Sequence, residues 1–435
     1  MSDLVFNNKK ITNAWCMYDW ANSVYSLTIT TAVFPIYFES VTTSADGNKM
    51  VEFLGWTLPN TVLYSYALSF SFLLTAIIIP LLTGIADYTG KKKLFLKMFA
   101  YIGSAACAGM FFLEGNNLEF GVLMAILASV GYSGSLVFYD AFLPEIATED
   151  QFDRLSARGY SLGYVGSVIL LIFNLVMIEA PGLFGLEDGS LPARISFLTV
   201  AVWWAGFAQI TFNRLPENPF NRTAKDNWLK KGYQELLLVY GQIKQMPNLK
   251  AYLLAYFCFN AGVQAVMYLA SLFGAKELKM ETQYLIITVL IIQLVAIFGA
   301  FLFARVSERY GNIRSLTIMI IIWIMVCFAA FFIRTNIEFF ILAFFVGMIM
   351  GGIQALARAT YSKLIPKYTE DHASYFSFYD VTFNLSIVAG TLAYGSIEFV
   401  TGSMRYSALG LIVFFVLALV FLKSVTVVSS NRSFN

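Results

Sequence analysis

GIADYTGKKK (Gly84 to Lys93) and FARVSERYGNIR (Phe303 to Arg314) each close a long apolar stretch, one in each half of a 435-residue chain. In both strings an acidic residue stands three positions before a glycine, and basic residues follow: Asp87, Gly90 and Lys91 to Lys93, then Glu308, Gly311 and Arg314. Later in each half Pro144 and Pro366 end another apolar stretch at nearly the same offset. Self-similarity at this scale marks a duplicated unit. Apolar stretches separated by charged hinges are the pattern of a helical bundle built twice.

Composition points the same way. The chain is 58% hydrophobic and 13% charged, with a mean hydropathy of +0.68. Soluble domains sit near half apolar and a quarter charged, so this chain has too little polar surface to cover itself in water. Crossing a bilayer takes about 20 apolar residues as a helix. Twelve such stretches can be marked, at 14–38, 59–86, 94–114, 118–143, 159–179, 194–213, 250–275, 283–304, 315–333, 338–364, 375–400 and 405–423. Barrel strands are about half that length and alternate in polarity. These stretches are apolar on nearly all sides, and in lipid only a helix satisfies their backbone internally. The expectation is an all-α membrane protein of twelve spans in two pseudo-symmetric six-helix bundles, 1–213 and 250–435, joined by a polar linker at 214–249. Within that linker, Trp228 to Met246 carries Leu229, Tyr233, Leu236, Leu237, Tyr240 and Ile243 at helical spacing. It predicts an amphipathic helix lying on the inner membrane surface.

Basic residues set the orientation. With both termini cytoplasmic, all 29 basic residues fall inside except Lys49, Arg194, Lys276, Lys279, Arg334 and Arg405. The bias predicts a polytopic membrane protein with both termini cytoplasmic; the short loops and the family resemblance described below imply a bacterial inner membrane. The basic runs abut spans, so they read as topology signals and not as nucleic-acid contacts. Asp19 and Asn22 in the first span argue against a cleavable signal peptide. Glu179, Pro181, Glu187 and Asp188 mark a loop between the fifth and sixth spans. Cys16, Cys107, Cys258 and Cys327 lie in separate spans, which predicts neither disulfides nor a metal site. The single histidine, His372, reads as a solvated loop residue.

Charges inside spans are costly and draw attention. Asp19 (in YDWANS, Tyr18 to Ser23), Asp140 (FYDAFLPE, Phe138 to Glu145), Arg358 (GGIQALARAT, Gly351 to Thr360) and Asp380 (FSFYDV, Phe376 to Val381) lie about four to six residues from an inner span end. That is roughly 6–9 Å into the bilayer. Two readings stay open: Arg358 neutralises aspartates and holds the bundles together, or an aspartate takes up and releases a proton. Asn22 and Tyr25 follow Asp19 at helical spacing. Asn260, Gln264 and Tyr268 share one face of the seventh span, and Gln354 sits one turn before Arg358. Such amides are helix-to-helix glue or the wall of a polar cavity. Gly351, Gly352, Gly159, Gly163 and Gly166 read as close helix contacts. At the hinges, Asp87 and Glu308 cap a following helix or pair with Arg154 and Arg158 across the bundles, or the hinges are simple topology signals. No GxxxxGK[ST] loop is present, so nucleotide hydrolysis finds no support. No nucleophile, base and metal constellation points to an enzyme, and no cofactor is expected.

The twelve spans and the repeated hinge resemble the major facilitator superfamily. Its signature lies between spans two and three; here Thr83 stands where its leading glycine is expected, with Gly84 next to it. YDWANS, FYDAFLPE, SARGYSLGYVG (Ser156 to Gly166), GVQAVMYLASLFG (Gly262 to Gly274), GGIQALARATYSKLIP (Gly351 to Pro366) and FSFYDV, in that order, resemble the vacuole-effluxer family. Its yeast member is an autophagy-related vacuolar amino-acid exporter. The resemblance implies a secondary transporter, with Asp19, Asn22, Tyr139, Asp140, Asn260, Gln264, Gln354 and Arg358 in or near a midplane cavity formed by spans one, four, seven and ten. Ala261 stands where many relatives carry an acid, so ion coupling at that position is absent; Ala357 and Ala359 replace serines flanking the arginine. The expected cargo is a small polar solute such as an amino acid or peptide, proton-coupled and exported, by a monomer whose other partner is the lipid bilayer. Arg358 is expected to hold a solute carboxylate. An exporter of apolar drugs, suited to the 17% aromatic content, and a non-transporting sensor are the alternatives.

Overall fold

The computed structural model describes residues 6–44, 46–115, 117–187, 189–222 and 227–427, and every structural statement below concerns these. Asp188 and Arg432, both counted in the topology reading, lie outside them.

The chain opens with α1 (Lys9–Val24), which runs without a break into a π-helical segment, Tyr25–Val33, and then α2 (Phe34–Val41). A hairpin of β1 (Met50–Phe53) and β2 (Trp56–Pro59) follows. Then come α3 (Asn60–Thr89), α4 (Lys92–Met110), α5 (Leu118–Asp140), the single turn α6 (Leu143–Ile146), α7 (Phe152–Glu179) and α8 (Leu191–Phe212). The linker holds α9 (Trp228–Gln245). The second half is α10 (Pro247–Glu277), α11 (Thr282–Tyr310), α12 (Asn312–Phe332), α13 (Asn336–Leu364), α14 (His372–Thr401) and α15 (Met404–Leu422). Ten of these helical stretches are long and apolar enough to cross a membrane. The continuous helix at 9–41 and α4 occupy the places of the expected first and third spans. Asp19 and polar side chains dilute the first; Lys92, Lys93 and Lys97 dilute the second.

Neighbour relations repeat between the halves. In the first, α1 packs on α7 and α8, α4 on α5 and α8, and α3 on α5; in the second, α10 packs on α14 and α15, α12 on α13 and α15, and α11 on α13. Close packing follows from small residues: Gly299 and Gly351 face the backbones of Met348 and Ala296, and a side chain there would meet a carbonyl oxygen. Between the halves α3 meets α14, and α7 meets α11 and α13. The hinge glycines end helices as expected: Gly90 caps α3 with φ +68°, a left-handed conformation suited to glycine, and Gly311 follows α11 with φ +86°.

The hairpin faces one side of the bundle and the linker the other. We call these the hairpin side and the linker side. In the hairpin Met50 pairs with Pro59 and Phe53 with Trp56 in antiparallel register. One expectation changes here. The linker helix does form, but it docks on protein: Gly232 lies against the backbone of α3 at Gly84 and Ile85. Val239 and Ile243 are buried, while Leu229, Tyr233, Leu237 and Tyr240 stay about half exposed. One residue, Met246, separates α9 from α10.

Candidate functional site

A cavity of about 200 Å³ lies between the halves. Tyr25, Asp140, Asn260, Gln264, Tyr268, Gln354 and Asp380 line it, so seven of the eleven residues singled out inside spans share one wall system. The wall is wider than spans one, four, seven and ten. Leu68 and Phe72 of α3, Tyr160 and Tyr164 of α7, Gln293 of α11 and Tyr379 of α14 also contribute. The amides are already partly engaged. Asn260 donates to Ser386 at 2.6 Å, Gln264 donates to Asn260 at 3.3 Å, and the Tyr164 hydroxyl donates to Gln354 at 2.6 Å. Asp380 accepts one bond from Asn384 at 2.9 Å on its own helix and has no cationic partner.

Asp19, Asn22, Tyr139 and Arg358 stand behind this wall, on its linker side. The guanidinium of Arg358 is 1% exposed and held by four hydrogen bonds. It donates to Asp140 at 2.9 Å, to Asp19 at 3.1 Å, and to the hydroxyl and carbonyl of Ser156 at 2.9 and 3.2 Å. Tyr139 donates to Asp19 at 2.8 Å, and the rings of Trp15, Tyr139 and Tyr160 flank the guanidinium at 4.8, 5.4 and 4.3 Å. Gly159 makes room for this cluster, since a β-carbon there would run into the Asp19 carboxylate. Two carboxylates from one half thus hold one cation from the other. The fork expected to take a solute carboxylate is occupied by the protein's own acids, so the structure does not present Arg358 to the cavity.

Further bonds between the halves lie on the same side. Asp87 accepts from the backbone N–H groups of Ala373 and Ser374 at 3.3 and 2.6 Å, at the positive N-terminus of α14. Lys92 pairs with Glu145, which also meets His372 at 3.0 Å. Asp153 accepts from Ser307, Asn312 and Lys363, each at 2.8 Å. Ser156 donates to the carbonyl of Ala355 at 2.7 Å and Ser161 to that of Ile297 at 3.2 Å. Beyond Tyr164 toward the hairpin side, no hydrogen bond crosses between the halves among the described residues.

Several expectations fail in detail. Arg154 and Arg158 do not pair with Asp87 or Glu308: both are exposed, and Arg158 donates to Asn13 of its own half. Glu308 and Arg314 are exposed as well, as is Lys91. The repeat is therefore chemically lopsided, because Asp153 of the first half supplies the acid where α11 and α12 meet α7. His372 is no solvated loop residue. It starts α14, is buried, and is held by Glu145. Lys92 and Lys93 are buried too, and Lys93 donates to the Leu215 carbonyl at 2.7 Å, so these lysines are structural parts and more than topology signals. Asp153, Glu145 and Lys363 were missed. The signal was there: Glu145 ends the FYDAFLPE string, Lys363 lies inside GGIQALARATYSKLIP, and Asp153 stands three residues before SARGYSLGYVG.

The linker reaches the same contacts. Arg222 bonds Glu370 at 3.0 Å, Asp371 at 2.7 Å and the Asp87 carbonyl at 2.9 Å, with Glu235 at 3.6 Å. Burial opposes the charge on Arg222, but Asp371, Glu370 and Asp87 together raise its pKa above the ordinary value. Glu235 on α9 goes the other way from a free carboxylate: burial and the neighbouring Asp371 push it up to about 7, with Arg222 pulling it down.

Two repeated six-helix units around a central cavity, with the polar bonds between them gathered on one side, have the architecture of a membrane transporter of the major facilitator fold. The human organic anion transporter MFSD10 superposes on 96% of this chain and 99% of its own with a TM-score of 0.74 at 12% identity. The outward conformation of FucP does so over 96% and 98%, with a TM-score of 0.70 at 13% identity. The family model for vacuole effluxer Atg22-like proteins matches residues 7–434, and the chain belongs to that family. An uncharacterised MFS-type transporter of Bacillus subtilis, YxiO, is 31% identical over 95% of this chain and 94% of its own. The Aspergillus terreus autophagy-related protein 22-1 is 24% identical over 83% of this chain and 74% of its own.

Proposed function

We propose that this transporter moves a small polar solute of amino-acid or peptide size outward by alternating access, drawing on a proton gradient. The bodies that rock are 1–213 and 250–435, with 214–249 as the cytoplasmic linker. The observation that carries the reading is the position of the bonds between the halves. They cluster on the linker side of a cavity that both halves line, so one end is latched and the other is held by no polar contact. A molecule in that arrangement opens toward the hairpin side. Opening the linker side requires Arg358 to leave Asp19 and Asp140, and Asp87 to leave α14.

The excess of basic residues on the linker side supports a cytoplasmic placement of that side and of both termini. The effluxer name of the family supports export. Buried carboxylates that meet water only when the latch parts are suited to take up and release protons, and Asp380, without a cation beside it, is the foremost of them. The test is flux in proteoliposomes with a panel of amino acids, peptides and metabolites, with and without a pH gradient. Concentrative uptake that responds to the gradient and fails in Asp380→Asn is expected. Flux that ignores the gradient removes the proton step. Ligand binding with no flux of any panel member favours a sensor.

A further inference from the structure

We infer that the cavity selects a positively charged amine, with Asp380 as the anchor for its ammonium group and tyrosine rings as the walls around its body. The inference rests on the transporter reading and narrows it to a substrate class.

Charge comes first. Among the side chains that line the cavity, Asp140 and Asp380 are acidic and none is basic. Arg358 lies behind the wall and already serves two carboxylates, Asp19 and Asp140. Counted together, three acids face one base, and the unmatched acid is Asp380. It is only 8% exposed, and its partner Asn384 is a neutral amide on its own helix. The groups around it supply no cation: Asp140 comes from α5, Tyr256 from α10, Tyr160 and Tyr164 from α7, and Tyr379 from α14 itself. At that depth α3 and α15 carry only apolar, hydroxyl and proline residues. A buried carboxylate is costly when unpaired, so this place asks for a positive charge from outside the chain.

The walls say which cation. Tyr256 and Tyr379 stack at 4.2 Å, and Tyr25 lies 4.9 Å from Tyr132 across another wall. Ring faces attract ammonium groups and cover apolar bodies at once. No group of three or more metal-ligating side chains occurs among the described residues, and a bare metal ion needs a dense shell of oxygens. Farther along the same cavity wall, Oε1 of Gln293, 8% exposed, is an acceptor with no hydrogen-bond donor. An ammonium group brings three donors for the Asp380 carboxylate.

The experiment uses four probes that share one ring and differ in charge: tyramine (cation), tyrosine (zwitterion), 4-ethylphenol (neutral) and 4-hydroxyphenylacetate (anion). Binding to the purified full-length protein is measured by calorimetry, and counterflow in proteoliposomes is measured beside it. Tyramine is expected to bind at least tenfold more tightly than the anion and the neutral phenol. Asp380→Asn is expected to abolish that preference, and Asp380→Glu to keep part of it. Equal binding of the anion, or tyramine binding unchanged in Asp380→Asn, overturns the inference. The wild-type comparison stands by itself if a variant does not fold. Flux of panel solutes without any preference for amines sinks the inference and leaves the transporter reading intact. Asp380-dependent tyramine binding without counterflow upholds the site and sinks transport.

Discussion

Replacing Arg358 by methionine, which keeps bulk and removes charge, should throw the molecule open on its linker side. In the closed form the substitution strands Asp19 and Asp140 in a dry interior, with Tyr139 and Ser156 as neutral company. Removing one member of a buried ion pair costs about 3–5 kcal/mol, mostly because the partner charge stays buried. That penalty applies only while the acids are sealed from water; it vanishes once the linker side parts. The closed form therefore rises relative to the open one by about this amount. At about 1.4 kcal/mol per factor of ten, the open-to-closed ratio should grow by roughly two to three and a half orders of magnitude. Spin labels at Arg154 and Arg314, both exposed and on opposite halves, report the separation by pulsed electron resonance once the four buried cysteines are replaced. The wild type should give one short distance and Arg358→Met a long one. Adding Asp19→Asn and Asp140→Asn to the same chain should restore the short distance, since no stranded charge remains. An unchanged distance distribution in Arg358→Met would refute the latch.

Other expectations follow from single sites. Asp87→Ala should lose about 1–3 kcal/mol of stability by leaving two N–H groups of α14 without their acceptor, whereas Glu308→Ala, exposed, should stay within about 0.5 kcal/mol; denaturation in detergent compares them. Gly159→Ala should destabilise by about 1–3 kcal/mol through overpacking against Asp19, while Gly206→Ala, with open space around it, should be neutral or stabilising by up to about 1 kcal/mol. The Glu235 carboxyl is raised to about 7 by burial and Asp371, so the folded protein holds that proton more tightly than the unfolded chain. Docking of α9 should then be firmest at acidic pH and loosen as pH rises toward and through 7. Hydrogen exchange over 227–245 at pH 6 and pH 8 measures this, and Glu235→Gln should remove the difference.

The spans and the two-fold repeat were legible because they rest on length and hydropathy, which the bilayer enforces everywhere. The convergence of Asp19, Asp140 and Arg358 was legible as a shared depth, since each sits a similar number of residues from a span end. Their pairing was not. Depth fixes height but not azimuth, so Arg358 facing two acids and Asp380 facing no base could be seen only with the helices in place. The hinges misled for a related reason. The matching strings implied matching partners, yet Asp87 is buried on α14 while Glu308 looks outward and Asp153 takes its part. Duplicated segments keep their backbone geometry, as Gly90 and Gly311 do, more faithfully than their side-chain pairings. His372 was read as solvated and Lys92 as a topology signal because charge near a span end usually is; the docking of α14 on α3 and α5 buries both.

The joint at Met246 has a mechanical result. Because α9 is seated on α3 and α10 starts one residue later, the connection between the two halves holds no spare length. Any swing of the second half must turn about that point or pry the linker helix from its seat. The covalent leash is thus also the pivot, and it ties the travel of the far rim to how firmly a single amphipathic helix stays in place.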